Sequence, residues 1–175
     1  MIDNFKNIDY LTNGNNKQKL AFLEIKKFGI LDKLQQYNPI LTGTIPLDID
    51  LPESDLDIIC QCKNHTQFNR DLIKNFSDEK DFKIYSTHQN GIESTIAEFK
   101  TDHFLIEIFG QNIPTEKQNA YRHMMVEYQI LKEKGIDFKK KIKHLKSTGL
   151  KTEPAFAKLL GLQGNPYLAL LELEK

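Results

Sequence analysis

The chain has 175 residues, 39% of them hydrophobic and 27% charged, a mix that fits one globular domain and excludes a disordered or fibrous chain. Lysine plus arginine and aspartate plus glutamate both number 24. No global basic field is therefore present to hold a long nucleic acid, and a small-molecule partner is favoured. No apolar run approaches membrane-spanning length, and Met1-Ile2-Asp3-Asn4-Phe5-Lys6 lacks the basic-then-apolar pattern of a leader, so no membrane partner is expected and the cytoplasm is the expected compartment.

A short lead-in ends at Asn13-Gly14, and Asn15 or Asn16 is placed to cap a helix. Leu20, Leu23, Ile30, Leu31 and Leu34 form its apolar stripe, with Gly29 able to split it and Pro39 ending it. Residues 39–44 read as a first strand that turns at Gly43-Thr44. Asp48 and Asp50 then alternate with Leu47, Ile49 and Leu51. That pattern suits the polar face of a small hairpin arm, with an outer place at a metal or substrate as the alternative.

Residues 55–62 read as a second strand. Asp55 and Asp57 share one of its faces, and Leu56, Ile58, Cys60 and Cys62 share the other. Free thiols in such a place pack as small hydrophobes; two so close on one strand splay badly for a disulfide. Residues 64–76 read as a helix capped by Asn64, with Phe68, Leu72 and Phe76 on its buried side. Strands follow over 82–88 and 92–100, joined at Asn90-Gly91, then over 104–110, with Gly110 ending the sheet.

A helix is expected over about 115–134, with Tyr121, Met124, Met125, Tyr128 and Leu131 inward and Gly135 just past its end. Arg122, His123 and Glu127 lie off the centre of that stripe. His123 and Glu127, one turn apart, fit a helix-surface ion pair better than a metal pair. Arg122 fits either a phosphate contact or solvent. Lys139, Lys140, Lys141, Lys143 and Lys146 read as a solvated helix face rather than a nucleic-acid patch. Thr152 caps a helix through Phe156, Leu159 and Leu160 to Gly161, and Asn165-Pro166 opens another with Leu168, Leu170 and Leu171. The expected fold is α+β in a single domain: helices over 1–38, a mixed sheet packed with helices over 39–110, and a helical part over 111–175.

The chemistry sits in the sheet. Two carboxylates side by side repel, and a hard divalent cation, Mg²⁺ or Mn²⁺, is the natural neutraliser. A glycine lets backbone approach a phosphate, and the hydroxyl of Thr44 can bond to it. Glu107 sits in the apolar run Phe104-Leu105-Ile106-Glu107-Ile108-Phe109, where an unpaired carboxylate is costly to bury. If its strand lies beside that of Asp57, all three acids face one cation. The bland readings are a turn over Pro52-Glu53-Ser54-Asp55 with a solvated Asp57, and an edge strand with Glu107 in water.

Gly43-Thr44, then Asp55-Leu56-Asp57-Ile58, then Ile106-Glu107-Ile108 resembles the pattern of the DNA polymerase beta-like nucleotidyltransferase superfamily. Gln118-Asn119-Ala120-Tyr121-Arg122-His123-Met124 and the stretch from Thr152 through Leu162 are similar to an uncharacterised bacterial family, a domain of unknown function, within it. The chain departs from the superfamily at Thr44, where serine or glycine is usual. The resemblance implies transfer of a nucleoside monophosphate from a nucleoside triphosphate to an acceptor hydroxyl. It implies that Asp55, Asp57 and Glu107 hold two metal ions, with Glu107 as candidate base, and that Gly43, Thr44, Ser54 and Arg122 contact the nucleotide. A small molecule, a tRNA end and a protein side chain all stay open as acceptor, and no residue sets the oligomeric state. Two other readings remain: a silent nucleotide-binding, regulatory or antitoxin-like module, and a metal-dependent phosphodiesterase.

Overall fold

Two β-strands separated by a long stretch of chain come to lie side by side because each is apolar on one face. In the computed structural model, which describes residues 4–89 and 91–174, Leu56, Ile58 and Cys60 of one strand are buried beside Ile106 and Ile108 of the other. These strands, β2 (Leu56–Gln61) and β5 (Leu105–Gln111), pair in parallel. β1 (Ile40–Thr42) flanks β2, and β4 (Ile92–Lys100) and β3 (Lys80–Gln89) complete the sheet beyond β5. The order is β1-β2-β5-β4-β3, with every pairing but β2–β5 antiparallel. The mixed α+β architecture is as the sequence implies.

The buried face of the sheet carries the first core. It packs against α1 (Asn16–Lys27), α2 (Ile30–Lys33) and α3 (His65–Phe76), with Phe68, Leu72, Ile25, Ile30 and Leu34 in it. α1 opens on a capping box: Asn15 Oδ1 accepts from Gln18 N, and Gln18 Oε1 accepts from Asn15 N. Its inward face differs from the expected stripe. Leu23 is 61% exposed, while the polar Gln18 and Glu24 are buried. Both have partners: Gln18 Nε2 donates to Ile45 O, and a Glu24 carboxylate oxygen lies 2.9 Å from His103 Nδ1. Those bonds rotate the helix away from its simple apolar register.

The second core lies among the C-terminal helices α4 (Asn119–Ser147), α5 (Thr152–Leu160) and α6 (Pro166–Leu171). Met124, Ile130, Ile142, Phe156 and Leu170 fill it, together with Leu47 and Ile49 from the chain after β1. A helix ends at Gly135 as expected: Gly135 has φ 75 and ψ −169, and a second helical stretch, counted here within α4, follows it directly. Gln89 pairs with Ile92 and Gly91 has φ 76, while Asn90, the other half of the expected hairpin turn, lies outside the described residues. Among the described residues no helix is long and apolar enough to cross a membrane.

Gly110 does not end the sheet; it sits inside β5, opposite Cys60 and Thr95. A Cβ there would meet Phe68 Cε1 at 2.2 Å, so the missing side chain is what lets α3 press onto the sheet. Gly110→Ala is expected to cost roughly 1–3 kcal/mol in urea unfolding through overpacking. Adding Phe68→Leu, which clears the ring, is expected to recover part of that loss. An unchanged urea midpoint for the single variant would show that Phe68 is free to move aside.

Candidate active site

Strand register makes the acid pair. Asp57 lies opposite Glu107 across β2–β5, Thr42 lies opposite Asp57 on β1, and Glu98 lies opposite Glu107 on β4. Neighbouring strands are spaced at roughly 4.8 Å, so two acids at one register position confront each other. The apolar face beneath them is anchored in the core, and the sheet cannot slip to relieve the contact without exposing it. Burial first, then the charges of Asp55 and Glu107, push the Asp57 carboxyl up to about 8. Burial, then Asp55 and Glu98, push Glu107 up as well.

The Gly43-Thr44 turn is pressed against this pair. Gly43 has φ 79, and a Cβ built on it would meet Asp57 Oδ2 at 2.1 Å. Only glycine suits both that backbone and that approach. Thr44 O accepts from Leu47 N at 3.2 Å and from Ile49 N at 3.1 Å, so the chain after β1 winds back on itself. Thr44 Oγ1 donates to Ser54 Oγ at 3.5 Å, and Ser54 Oγ accepts from Leu51 N at 2.9 Å.

Residues 44–51 are therefore not a hairpin arm. Leu47 and Ile49 enter the second core, while Asp48, at φ 53, turns outward. Asp48 is held by Lys139 at 2.7 Å, Lys143 at 3.4 Å and Asn15 Nδ2 at 2.8 Å. Lys17 Nζ pairs with Asp50 at 3.3 Å and also donates to Leu51 O. Lys146 is buried and donates to Ile49 O at 2.6 Å. Of the expected solvated lysine face, Lys140 and Lys141 are exposed, whereas Lys139, Lys143 and Lys146 clamp the turn. Lysine can do so because its apolar stem packs while its ammonium reaches out.

Asp57, Glu107, Gly43 and Thr44 open onto a cavity of about 520 Å³, a size suited to a small-molecule ligand. Its far wall is α4, where Ala120, His123, Met124 and Glu127 fall at i, i+3, i+4 and i+7, together with Gln118, Thr152 and Glu153. His123 and Glu127 are buried in this wall rather than paired on a helix surface. His123 Nε2 lies 3.0 Å from Tyr167 O, and its Nδ1 is 3.5 Å from Glu153. Burial first, then Glu153, raise Glu127 well above the usual carboxylate range, with Lys146 opposing. The 3.6-residue spacing of this stripe was visible in sequence, but its polar members concealed that it faces inward.

Asp55 and Ser54 stand beside the cavity without lining it, although Asp55 is close enough to raise both acids. Arg122 is not brought there. Its guanidinium is forked onto Glu174, at 2.9 and 2.5 Å, and also donates to Asn119. Among the described residues no three His, Cys, Asp or Glu side chains are gathered so that together they could hold a metal ion. The pair of acids nonetheless suits a hard cation: Asp57 and Glu107 are half-buried carboxyls facing each other, and such an ion keeps water on its remaining positions.

A protein-family model described as Domain of unknown function (DUF4269) matches residues 23–173. The chain belongs to this family. No curated protein sequence matches it. Among solved structures, it is similar to the Cid1 poly(U) polymerase bound to MgATP, at 14% identity and a TM-score of 0.52, covering 93% of this chain and 49% of that one. It is also similar to the polymerase core of TRAMP, an RNA surveillance complex, at 12% identity and a TM-score of 0.52, covering 93% of this chain and 50% of that one. The family member thus spans about half the length of these structures and shares their fold.

The Asp57 environment predicts a pH dependence. A carboxyl raised in the folded state binds more protons there than when unfolded, so stability falls as pH rises from the ordinary carboxylate range through about 8. In chelator, the native chain is expected to lose a few kcal/mol between about pH 5 and about pH 9, and Asp57→Asn to lose less and be the more stable at the higher pH. Parallel urea curves at the two pH values check this; an equally steep loss in the variant would remove Asp57 as the cause.

Proposed function

We propose that this chain transfers a nucleoside monophosphate from a nucleoside triphosphate to an acceptor hydroxyl, with a divalent metal. The observation that carries this reading is Asp57 and Glu107 in register on adjacent strands, at a cavity whose edge is a glycine turn pressed against Asp57. The likeness in fold to a polymerase bound to MgATP supports it.

Asp57 and Glu107, with Asp55 beside them, would hold Mg²⁺ or Mn²⁺, and the bound ion would supply positive charge to the triphosphate and to the developing oxyanion. Gly43 admits the triphosphate close to backbone, and Thr44 offers it a hydroxyl. Ser54 and the lysine clamp keep that turn in place. Glu107, raised by burial and its neighbours, takes the acceptor's proton. The acceptor oxygen then bonds to the α-phosphorus as its bond to the bridging oxygen breaks, and pyrophosphate leaves with that electron pair. Arg122 takes no phosphate role here, because Glu174 already occupies its fork.

Among the described residues no lysine or arginine lines the cavity. Nucleotide binding should therefore depend wholly on the ion. The same observation favours a second reading, a nucleotide-binding module without turnover. Thermal unfolding with ATP, GTP, CTP and UTP, each with and without Mg²⁺, separates the cases. At least one nucleotide is expected to raise Tm by roughly 5–10 °C at about 100-fold over its Kd, only with Mg²⁺ and not in Asp57→Asn. A shift without pyrophosphate release in an acceptor screen points to the silent module. No shift in the folded chain sinks both readings.

A further inference from the structure

The α4–α5 wall of the cavity has chemistry that the triphosphate does not use. Glu127 is only 4% exposed, sits on the cavity-facing stripe of α4, and has no hydrogen bond or ion pair among the described residues. Lys146 bears on its charge, but the Lys146 ammonium is committed to Ile49 O and makes no ion pair with it. Gln118, also lining the cavity, donates through Nε2 to Cys60 O and Ile113 O, and its Oε1 has no partner. Glu153 adds a second carboxylate, sensed by both Glu127 and Asp57.

Buried polar groups are normally paired, and the Gln118 Oε1 left over here is a hydrogen-bond acceptor. His123, on the same face of α4, is turned to Tyr167 O and Glu153. Among the described residues Gln118 Oε1 and the Glu127 carboxyl thus face the cavity without a hydrogen-bond partner of the protein's own. Among the described residues neither Glu127 nor Glu153 offers an anionic triphosphate a cationic partner, so it belongs at the Gly43–Thr44 end with the cation. What suits this end is a molecule that carries an ammonium, whose charge would offset burial and favour the ionised Glu127, and a hydroxyl to donate to Gln118 Oε1.

We propose that the α4–α5 end of the cavity is the acceptor subsite, and that it takes a small amine-bearing polyol, its ammonium held by Glu127 and Glu153 and one hydroxyl turned toward Glu107. This assignment rests on the nucleotidyl-transfer reading. It also names a new pair of binding residues, separate from the metal pair.

Calorimetric titration of the full chain with glucosamine and with glucose tests it, because the two probes differ chiefly in the amine. Glucosamine is expected to bind about tenfold more tightly, as a charge-assisted bond to a desolvated carboxylate implies. Glu127→Gln is expected to bring the ratio near one while the Mg²⁺–ATP thermal shift is kept. Glu153→Gln, at a side chain 22% exposed, is expected to lower the ratio in part and serves where the buried substitution fails to fold. Equal affinities, absent glucosamine binding, or a ratio that survives both substitutions overturns the assignment. An amine preference without any Mg²⁺–nucleotide shift leaves the amine site standing and defeats the transfer reading; a shift without the preference does the reverse.

Discussion

The structure turns on two carboxylates that the sheet forces together. Asp57 and Glu107 hold one register position on neighbouring strands, half-buried and each disfavouring the other's charge, with Asp55 adding to the effect. Local propensity does not favour such a pair. It persists because the opposite faces of the same strands, Leu56, Ile58, Cys60, Ile106 and Ile108, are buried in the first core. Burying each such side chain contributes about 1.5–3 kcal/mol, and several together outweigh one unfavourable contact. The core thus holds charge where a polar ligand can use it.

The turn before β2 depends on the same logic from the other side. Its backbone passes so close to Asp57 that a side chain at Gly43 is excluded, and nothing in so short a segment would keep it there. Its hold comes from outside: Gln18 and Lys17 from α1, and Lys139, Lys143 and Lys146 from the far half of α4. The break at Gly135 divides the labour of that helix. The half before it walls the cavity, and the half after it reaches back to the turn.

Much of this was legible in the residues. Period-two alternation found the strands, and the Asp55–Asp57 spacing beside apolar partners fixed which face the acids take. The Asn64 cap and the Phe68, Leu72 and Phe76 stripe found α3. What was not legible depended on tertiary partners. The inward turn of Gln18 and Glu24 follows from bonds to Ile45 O and His103, far along the chain. Lys146 reads as one more surface lysine until Ile49 O is seen beside it, and Glu127 as a surface acid until α4 is laid against the sheet. Arg122 fits either a phosphate contact or solvent in the sequence, and its partner Glu174 lies 52 residues further on. Polar residues that turn inward carry no periodic signal, and sites are built from such residues.

The strand order has a consequence in time. β5 is the last strand to be synthesised, yet it occupies the centre of the sheet, between β2 and β4. Until it arrives, β1–β2 and the β3–β4 hairpin are two separate ribbons, each with an unpaired edge toward the gap. Closing that gap joins segments far apart in sequence, the slow kind of step in folding. The acid pair is split across that same seam, so the paired carboxylates and a closed sheet emerge together, at the end of assembly rather than by degrees.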